Sequence, residues 1–353
     1  MTATIDVDGV VCPAPIAEDQ RVILGHGSGG QLSNALMREL IAPALDPAAS
    51  GGPLNDAAVV DVAGARVAFT TDSFVVSPIR FPGGDIGELA VNGTINDLAM
   101  MGAVPVALSL AFIVEEGLPF EELRAVTASA AKAAARAGAR IVTGDTKVVG
   151  RGAADRLFVN TSGIGLVPAG VAPSAERAAA GDAVIVSGSI GLHGIAIMSV
   201  REGLDFEVEI VSDTQGLGGL VAAMLAVEPD VHVLRDPTRG GLSSALNEIA
   251  AVSRVGMVLD EPAIPIPGPV RAACEFLGLD PLHVANEGKL VAIVPGASAD
   301  AVLAAMRARP EGAEAARIGT VVADHPGMVT MRTIVGSERI VDMLVGEQLP
   351  RIC

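Results

Sequence analysis

The last residue of this 353-residue chain is a cysteine, Cys353. A thiol on a short arm with a glycine at its root, Gly346, can be loaded by one partner and acted on at another site. No chain follows it to hold it in register, so we do not expect it to belong to a core. The alternative is a frayed end whose cysteine has no role. The other polar residues of the chain favour a loaded thiol.

Four aspartates occupy positions that a core-building sequence avoids. They stand at the entry to an apolar stretch, at the end of a predicted strand, in an apolar helix and at the start of a glycine-rich turn: Asp56, Asp72, Asp97 and Asp236. Carboxylates at such positions are costly unless they are paired or bound to a metal. Mg²⁺ prefers a few carboxylates together with phosphate oxygens and water. Each aspartate alone fits an ordinary cap or turn, but together they predict a magnesium–nucleotide site.

Two further segments carry candidate catalytic groups. In Gly144-Asp145-Thr146-Lys147, which follows a predicted strand, Lys147 can reach a phosphate or a developing oxyanion. Asp145 either orients that lysine or binds metal. In Asn286-Glu287-Gly288-Lys289, Glu287 is either a general base or a solvated turn residue. The chain has no P-loop sequence, so an ATP site here is of another type.

A glycine-rich loop, Gly27-Ser28-Gly29-Gly30, precedes a helix predicted over residues 31–41. Such a loop at a helix N-terminus offers free backbone N–H groups to an anion. On its own the signal is weak, because glycine loops often only turn the chain.

The elements that position these groups follow from apolar periodicity and caps. Helices and strands alternate, which predicts two α/β domains over residues 21–170 and 171–336. Residues 1–20 are predicted to be a disordered tail, and residues 337–353 a flexible tail carrying Cys353. The first domain is predicted to contain strands 65–71, 104–114, 140–143 and 157–167 and helices 85–102 and 119–138, with Asp85 as an N-cap. The second is predicted to contain strands 183–187 and 289–294 and helices ending at 200, 227, 252 and 307.

Composition excludes several classes of function. The formal net charge of −17 leaves no basic face for nucleic acid. The longest apolar run, residues 103–114, is too short to span a bilayer and is interpreted as a buried strand. The first residues do not resemble a signal peptide, so a cytoplasmic location is expected. Three widely spaced cysteines form neither a disulfide framework nor a zinc pattern; Cys12 is either a second reactive thiol or a tolerated surface residue.

Taken together, these motifs resemble the aminoimidazole-ribotide-synthetase-like ATP-dependent superfamily. The ending Pro350-Arg351-Ile352-Cys353 is more specific and is similar to that of the carbamoyl dehydratases of nickel–iron hydrogenase maturation. The resemblance runs from about residue 22 to the end. It is carried by Gly27-Ser28-Gly29-Gly30, Thr70-Thr71-Asp72-Ser73, Asn96-Asp97, Gly144-Asp145-Thr146-Lys147, Asp236-Pro237-Thr238-Arg239-Gly240-Gly241 and Asn286-Glu287-Gly288-Lys289.

The resemblance implies a two-domain α/β (α+β) fold, a homodimer in which first-domain strands of two chains meet, and ATP with Mg²⁺ in a cleft completed by the partner chain. It implies that a carbamoyltransferase loads Cys353, that ATP-dependent dehydration leaves an S-cyanide, and that an iron-carrying scaffold complex accepts the cyanide. Cys353, Glu287 and Lys147 would be catalytic, with Glu287 as the base. The implied ligands are, for nucleotide, Gly27, Ser28, Gly29, Gly30, Asn96, Asp145 and Thr146, and, for metal, Asp56, Asp72, Asp97 and Asp236.

One position departs from the family pattern. Leu192 stands where an aspartate is expected, which puts any role of a carboxylate there in doubt, and the neighbouring His193 is interpreted as structural. Asn92 is a weaker candidate than Asn96. The rival enzyme is a selenophosphate-synthetase-like dikinase, which would need a reactive cysteine or selenocysteine where the chain has His26 and Ser28. A non-catalytic thiol carrier is the rival outside enzymes.

Overall fold

The computed structural model describes residues 21–45, 53–204, 208–344, 346 and 351–353. The predicted tail at residues 1–20, with Cys12, lies outside the described residues. The described chain forms a five-stranded sheet, a seven-stranded sheet and a two-stranded ribbon. No described helix is long and apolar enough to cross a membrane.

The first sheet has the strand order β1-β2-β7-β5-β6. Its strands and the ribbon are β1 (Ala58–Val62), β2 (Ala65–Phe74), β3 (Arg80–Phe81), β4 (Gly84–Asp85), β5 (Val104–Glu115), β6 (Arg140–Val149) and β7 (Leu157–Leu166). The helices of this half are α1 (Gln31–Ala35), a π-helical stretch (Leu36–Ile41), α2 (Ala42–Leu45), α3 (Ile86–Met100) and α4 (Phe120–Arg136), preceded by a 3₁₀ turn (Leu24–Gly27). The predicted strands are present, but β2 and β6 run further than expected, through Asp72 and Lys147.

Helix α3 lies in the centre of the molecule. The Asp85 side chain caps it by accepting hydrogen bonds from the N–H groups of Gly87 and Glu88, as its sequence position predicts. A Cβ atom at Gly87 would lie 2.3 Å from the Val126 carbonyl oxygen, so glycine is needed for α3 to approach α4 this closely. Nearly every residue of α3 is buried, as expected for a helix that is apolar on all sides. The polar residues of this buried helix, including Asp97, therefore need polar partners.

One face of the first sheet is apolar and exposed. The apolar run at residues 103–114 was expected to be a buried strand, but exposure alternates along β5, and Val106 is 45% and Ile113 42% exposed. By strand register, Ile113 shares this face with other exposed apolar side chains: Val60, Phe69 and Ile164. Within the described residues of one chain no layer covers this face. Contiguous exposed apolar surface of this kind is typical of a protein–protein interface.

The second sheet has the order β14-β13-β10-β12-β8-β11-β9. Its strands are β8 (Ala183–Val186), β9 (Val233–Arg235), β10 (Gly256–Asp260), β11 (Val291–Val294), β12 (Ala316–Val322), β13 (Val329–Arg332) and β14 (Glu338–Val341). The helices are α5 (Leu192–Arg201), α6 (Gly218–Val227), α7 (Gly241–Ser253), α8 (Gly268–Leu277) and α9 (Ala299–Arg307). Strands β9 and β10 and helix α8 were not predicted.

The segment predicted as a flexible tail is structured in two places. Residues 338–341 form β14, which pairs antiparallel with β13, so a tail starting at residue 337 was wrong there. At the end of the chain, Ile352 is 2% exposed and packs in the core of the first half together with Ile197 and Ala285 of the second half. Cys353 packs against the same cluster, contrary to the expectation that it lies apart from any core. The end of the chain therefore lies where the two halves meet.

Candidate active site

The structure brings the four predicted aspartates together. Asp72 lies inside β2 and its carboxyl shares a hydrogen bond with that of Asp97 on α3. Thr70, two residues before Asp72 on the same face of β2, donates from Oγ1 to Asp97 Oδ2 at 2.6 Å. Asp56 and Asp236 are close enough to raise the pKa of Asp97 by like-charge repulsion. Carboxylates from both halves of the chain thus form one acidic cluster.

Burial is the main reason that these carboxyls resist ionisation. It raises the pKa of Asp97 well above its ordinary value, and Asp72 and Asp236 raise it further. It raises the pKa of Asp236 to about 6, against the lowering effect of the Arg235 guanidinium. It also raises the pKa of Asp56 strongly, again opposed by Arg235. A cation placed among these groups would reverse the repulsion and restore their charge.

Arg235 is the positive charge at one edge of the cluster, and sequence reasoning missed it. Its Nε donates to Asp56 Oδ1 at 2.8 Å, and its two other contacts are with Glu248 at 2.7 Å and the Leu54 carbonyl at 2.7 Å. Leu54 and Asp56 are distant from Arg235 in sequence, whereas Glu248 is 13 positions away. The only signal in the sequence is its place directly before Asp236.

The Cys353 thiol faces the Glu287 carboxyl. Glu287 is 3% exposed, and its Oε1 has no hydrogen-bond partner in the described part of the chain. Burial raises the pKa of Glu287 well above its ordinary value, with further increases from Asp236 and Asp213. Burial also raises the pKa of the half-buried Cys353 thiol to about 12; Arg239 lowers it, and the charge of Glu287 and a hydrogen bond to that carboxyl add to the increase. Two of the predicted catalytic residues are therefore in contact beside the acidic cluster.

The glycine-rich loop closes over the same region, and two of its N–H groups already have acceptors. The N–H of Ser28 bonds the Gly25 carbonyl, and the N–H of Gly29 bonds Ser33 Oγ at 2.9 Å. A Cβ at Gly29 (φ +79°) would lie 2.5 Å from the Arg239 carbonyl oxygen, and one at Gly30 would lie 2.3 Å from that of Leu344. Gly27 accepts a hydrogen bond from the Arg239 guanidinium through its carbonyl. The loop was expected to offer free donors; the N–H groups of Ser28 and Gly29 are bonded within the chain, and the loop packs against the Arg239 turn.

Asn96 was predicted to bind nucleotide, but its amide joins the two halves of the chain. Its Nδ2 donates to the carbonyls of Gln215 (3.0 Å) and Glu287 (3.2 Å), and its Oδ1 accepts from the N–H of Leu217 (2.8 Å). Both amide protons are thereby used. Asn92, the weaker candidate, donates to Thr214 Oγ1 at 3.3 Å.

Asp145, Thr146 and Lys147 lie away from the cluster of their own chain. They were expected just past a strand end, but β6 continues through them at the edge of the first sheet, and all three are exposed. Lys147 is in register with Ile113 on the open face, and it pairs with Asp145 at 2.9 Å. Asp72 points to the other face, and β2 lies three strand spacings, about 14 Å, from β6. A single chain therefore does not bring Lys147 to Cys353.

The donor set fits Mg²⁺ chemistry, although no described group of three or more His, Cys, Asp or Glu converges on one point as a metal cage. The carboxylates Asp72, Asp97 and Asp236 are hard oxygen ligands that repel one another. Mg²⁺ bound to a nucleotide usually takes one or two carboxylates, with phosphate and water oxygens completing its octahedron. The site can therefore hold magnesium with a nucleotide rather than alone.

Comparison with known proteins decides the family. Models of the N-terminal and C-terminal domains of AIR synthase related proteins match residues 54–167 and 179–331. The curated carbamoyl dehydratase HypE of Cupriavidus necator is 56% identical over 333 residues, which cover 94% of this chain and 95% of that protein. The chain belongs to the HypE carbamoyl dehydratase family. This confirms the resemblance that the motifs and the cysteine at residue 353 predicted.

Solved structures agree on the fold. A chain in a crystal structure of a HypE–HypF complex superposes with a TM-score of 0.83 at 46% identity, covering 88% of this chain and 100% of its own length. HypE in complex with ATP gives a TM-score of 0.79 at 50% identity, covering 94% of this chain and 100% of that one. The two-domain α/β fold predicted from the sequence is thereby confirmed.

Proposed function

We propose that this chain is a carbamoyl dehydratase that uses ATP to convert a carbamoyl group on the Cys353 sulfur into an S-cyanide, for hydrogenase maturation. The observation that carries the proposal is the contact between the Cys353 thiol and the buried Glu287 carboxyl, beside a cluster of four aspartates. Such a cluster suits a metal–triphosphate, and family relatives named HypE include one solved with ATP.

The proposed dehydration has two steps, phosphorylation of the carbamoyl oxygen and loss of phosphate. The carbamoyl oxygen attacks the γ-phosphorus of ATP, so a P–O bond forms and the bond to ADP breaks. One N–H proton leaves as the C=N bond forms. Cleavage of the C–O bond then releases inorganic phosphate, and loss of the second N–H proton leaves S–C≡N on Cys353. The carbamoyl oxygen departs within the phosphate.

In this proposal Glu287 takes the first proton. An amide oxygen is a weak nucleophile until its N–H proton begins to leave, so a base is needed close to the sulfur-bound carbamoyl group. The unpartnered Oε1 of Glu287 lies in this region, and a carboxylate whose pKa is raised by burial is a stronger base than one in water. The Arg239 guanidinium lowers the pKa of Glu287 and so helps to keep it ionised.

Magnesium would be held by Asp72, Asp97 and Asp236, with Asp56 kept at the edge by its ion pair to Arg235. When bound with ATP, magnesium would neutralise negative charge on the phosphates. The carboxylates of this chain position it and exclude competing anions.

The partner chain completes the site in this proposal. Lys147 and Asp145 project from the open face of the first sheet, where exposed apolar residues such as Ile164 need a partner. A homodimer formed through these faces would bring the Lys147 ammonium of one chain toward the cleft of the other. There it would stabilise negative charge on the phosphoryl group or the amide.

Loading and dehydration need different positions of the thiol. A cysteine with a pKa of about 12 is almost entirely protonated at neutral pH and is a poor nucleophile. We therefore propose that a carbamoyltransferase loads Cys353 after residues 351–353 leave this site, and that the cyanide is later delivered to an iron-carrying scaffold complex. A structure of a family relative with HypF supports such a partner. A cytoplasmic location stays a prediction.

The test uses intact mass spectrometry of the full chain carbamoylated on Cys353. Addition of Mg-ATP is expected to remove one water from the adduct, with one ADP and one phosphate formed per chain, and peptide mapping is expected to place the product on Cys353. Without nucleotide the adduct should persist. An adduct that stays unchanged with Mg-ATP in folded protein would refute the assignment.

A further inference from the structure

The last three residues, 351–353, here called the terminal segment, lie beside residues 75–77 just after β2. The N–H of Val75 donates to the Cys353 carbonyl oxygen at 3.0 Å, and the N–H of Ser77 donates to the Arg351 carbonyl at 3.3 Å. This two-residue spacing on both sides is that of neighbouring strands. Backbone hydrogen bonds from residues 75–77 therefore hold one edge of the terminal segment.

Two side chains of helix α5 contact the other edge of the terminal segment. His193, Ile197 and Arg201 recur every four residues, so they share one face of the helix. Ile197 packs in the same cluster as Ile352. The ring Nε2 of His193 is 2.8 Å from the Ile352 carbonyl oxygen, and the Arg201 guanidinium donates to the Arg351 carbonyl at 2.7 Å.

The protonation of His193 follows from its partners. A carbonyl oxygen only accepts, so Nε2 must carry the proton that it donates to Ile352. On the other side of the ring, Nδ1 is 2.8 Å from Ser212 Oγ, which accepts from the N–H of Thr214 and can donate its own proton to the ring. Burial lowers the pKa of His193, which favours this neutral form.

The same side chain connects the terminal segment to the proposed base. Ser212 is followed by Asp213, whose Oδ1 accepts a hydrogen bond from the N–H of Glu287 at 3.1 Å. His193 thus bonds the segment that carries the thiol on one side and the loop that positions Glu287 on the other. The distance between sulfur and carboxylate depends on both bonds.

We propose that His193 and Arg201 are positioning residues that hold the terminal segment in the place where the Cys353 sulfur meets Glu287. Every carbonyl of the segment then has a donor: Arg201 and Ser77 for Arg351, His193 for Ile352, and Val75 for Cys353. The importance of these two residues for dehydration rests on the proposed function. Their role in holding the terminal segment does not. His193 acts through the position of Cys353 and does not touch the reacting atoms.

The experiment compares His193→Leu, which removes the donor, with His193→Gln, which keeps an N–H at the same reach. Loss of one neutral hydrogen bond is expected to raise the rate at which iodoacetamide alkylates Cys353 about three- to tenfold in His193→Leu. His193→Gln should stay near the wild-type rate, and Arg201→Gln should show an increase at least as large as that of His193→Leu. Peptide-resolved mass spectrometry reports each cysteine separately.

Cys274 supplies an internal control. It is 1% exposed and packs with Ile195 and Ala196 on another face of α5, so it reports any general loosening of that helix. Its reactivity should not change. Equal increases at both cysteines in all variants, or no increase at Cys353 in His193→Leu and Arg201→Gln, would overturn the proposal.

Kinetics separate this inference from the proposed function. In carbamoylated protein, His193→Leu should slow single-turnover dehydration several-fold without weakening ATP binding, and carbamoyl loading should not slow. Loss of a merely structural histidine would slow both half-reactions alike. If the wild-type protein lost no water, the proposed function would fail, while the alkylation ratios would still test the positioning role.

Discussion

Glu287 combines a buried, raised pKa with contact to the nucleophile-bearing residue, and this combination predicts a pH profile. Because its folded-state pKa is raised, the ionised base accumulates at higher pH than it would for a carboxylate in water. The single-turnover rate of dehydration should therefore increase with pH across the titration of Glu287. Glu287→Gln keeps the shape of the side chain but should lower the rate at least a hundredfold, in line with loss of a general base.

A matched control is Glu261→Gln, just after β10 and four strands away from β9, the strand that leads into Asp236; it removes a carboxylate that accepts from the N–H of Ile334. It should keep the wild-type rate and pH dependence. A Glu287→Gln variant that dehydrated its carbamoyl group at the wild-type rate would leave the ATP-dependent reaction standing and remove only the base assignment.

At the scale of elements, the position of β6 predicts catalysis across a dimer. Lys147 lies on the opposite face of the sheet from Asp72, so one chain cannot use its own lysine. Carbamoylated Lys147→Ala chains should be nearly inactive alone and should regain dehydration when mixed with Cys353→Ser chains, which supply an intact Lys147. Intact mass distinguishes the two chains and reports water loss on the first.

The open face of the sheet provides the control for this complementation. Ile164 is 41% exposed in the central strand β7, and Ile164→Asp should place a charge in the proposed interface. This variant should shift the chain toward a monomer in light scattering and abolish complementation. Recovery of activity by monomeric chains would contradict the proposed dimeric site.

Caps and apolar patterns predicted the helices and strands whose bounds depend mainly on nearby residues. The cap at Asp85 and the apolar character of α3 placed that helix almost to the residue. The ends of β2 and β6 were predicted too early because Asp72 and Gly144 look like strand ends, although tertiary partners accommodate them inside the strands. Strand β14 was missed because a short, mostly exposed edge strand carries no clear alternation.

The sequence predicted which residue types form the site better than it predicted how they are arranged. The cost of unpaired carboxylates indicated Asp72, Asp97 and Asp236, which do meet. The roles of Arg235 and His193 arise from contacts between residues more than one hundred positions apart, and no local pattern encodes such contacts. The distance of Lys147 from its own cluster likewise follows only from strand order.

At the scale of the whole molecule, the acidic cluster joins the two halves of the chain and should link their stability to pH and magnesium. The folded-state pKa of Asp236 is about 6, above its ordinary value of 3.8, so the folded state binds more protons between these values. The contribution of this group to stability is therefore present at low pH and is lost as pH rises through about 6. A shift of about two pKa units corresponds to roughly 3 kcal/mol for the isolated group.

Mg-ATP should compensate for this loss, because a divalent cation binds the ionised carboxylates that repel one another. We expect thermal unfolding to show a larger increase in Tm with Mg-ATP at pH 8 than at pH 5.5, where protons compete at Asp236. Saturation at about one hundred times Kd would add about 2.7 kcal/mol at the higher pH. In Asp236→Asn the nucleotide-free protein should be more stable than wild type at pH 8, and the Mg-ATP increment should become small at both pH values. Equal increments at both pH values in the wild-type chain would show that these carboxylates do not hold the metal.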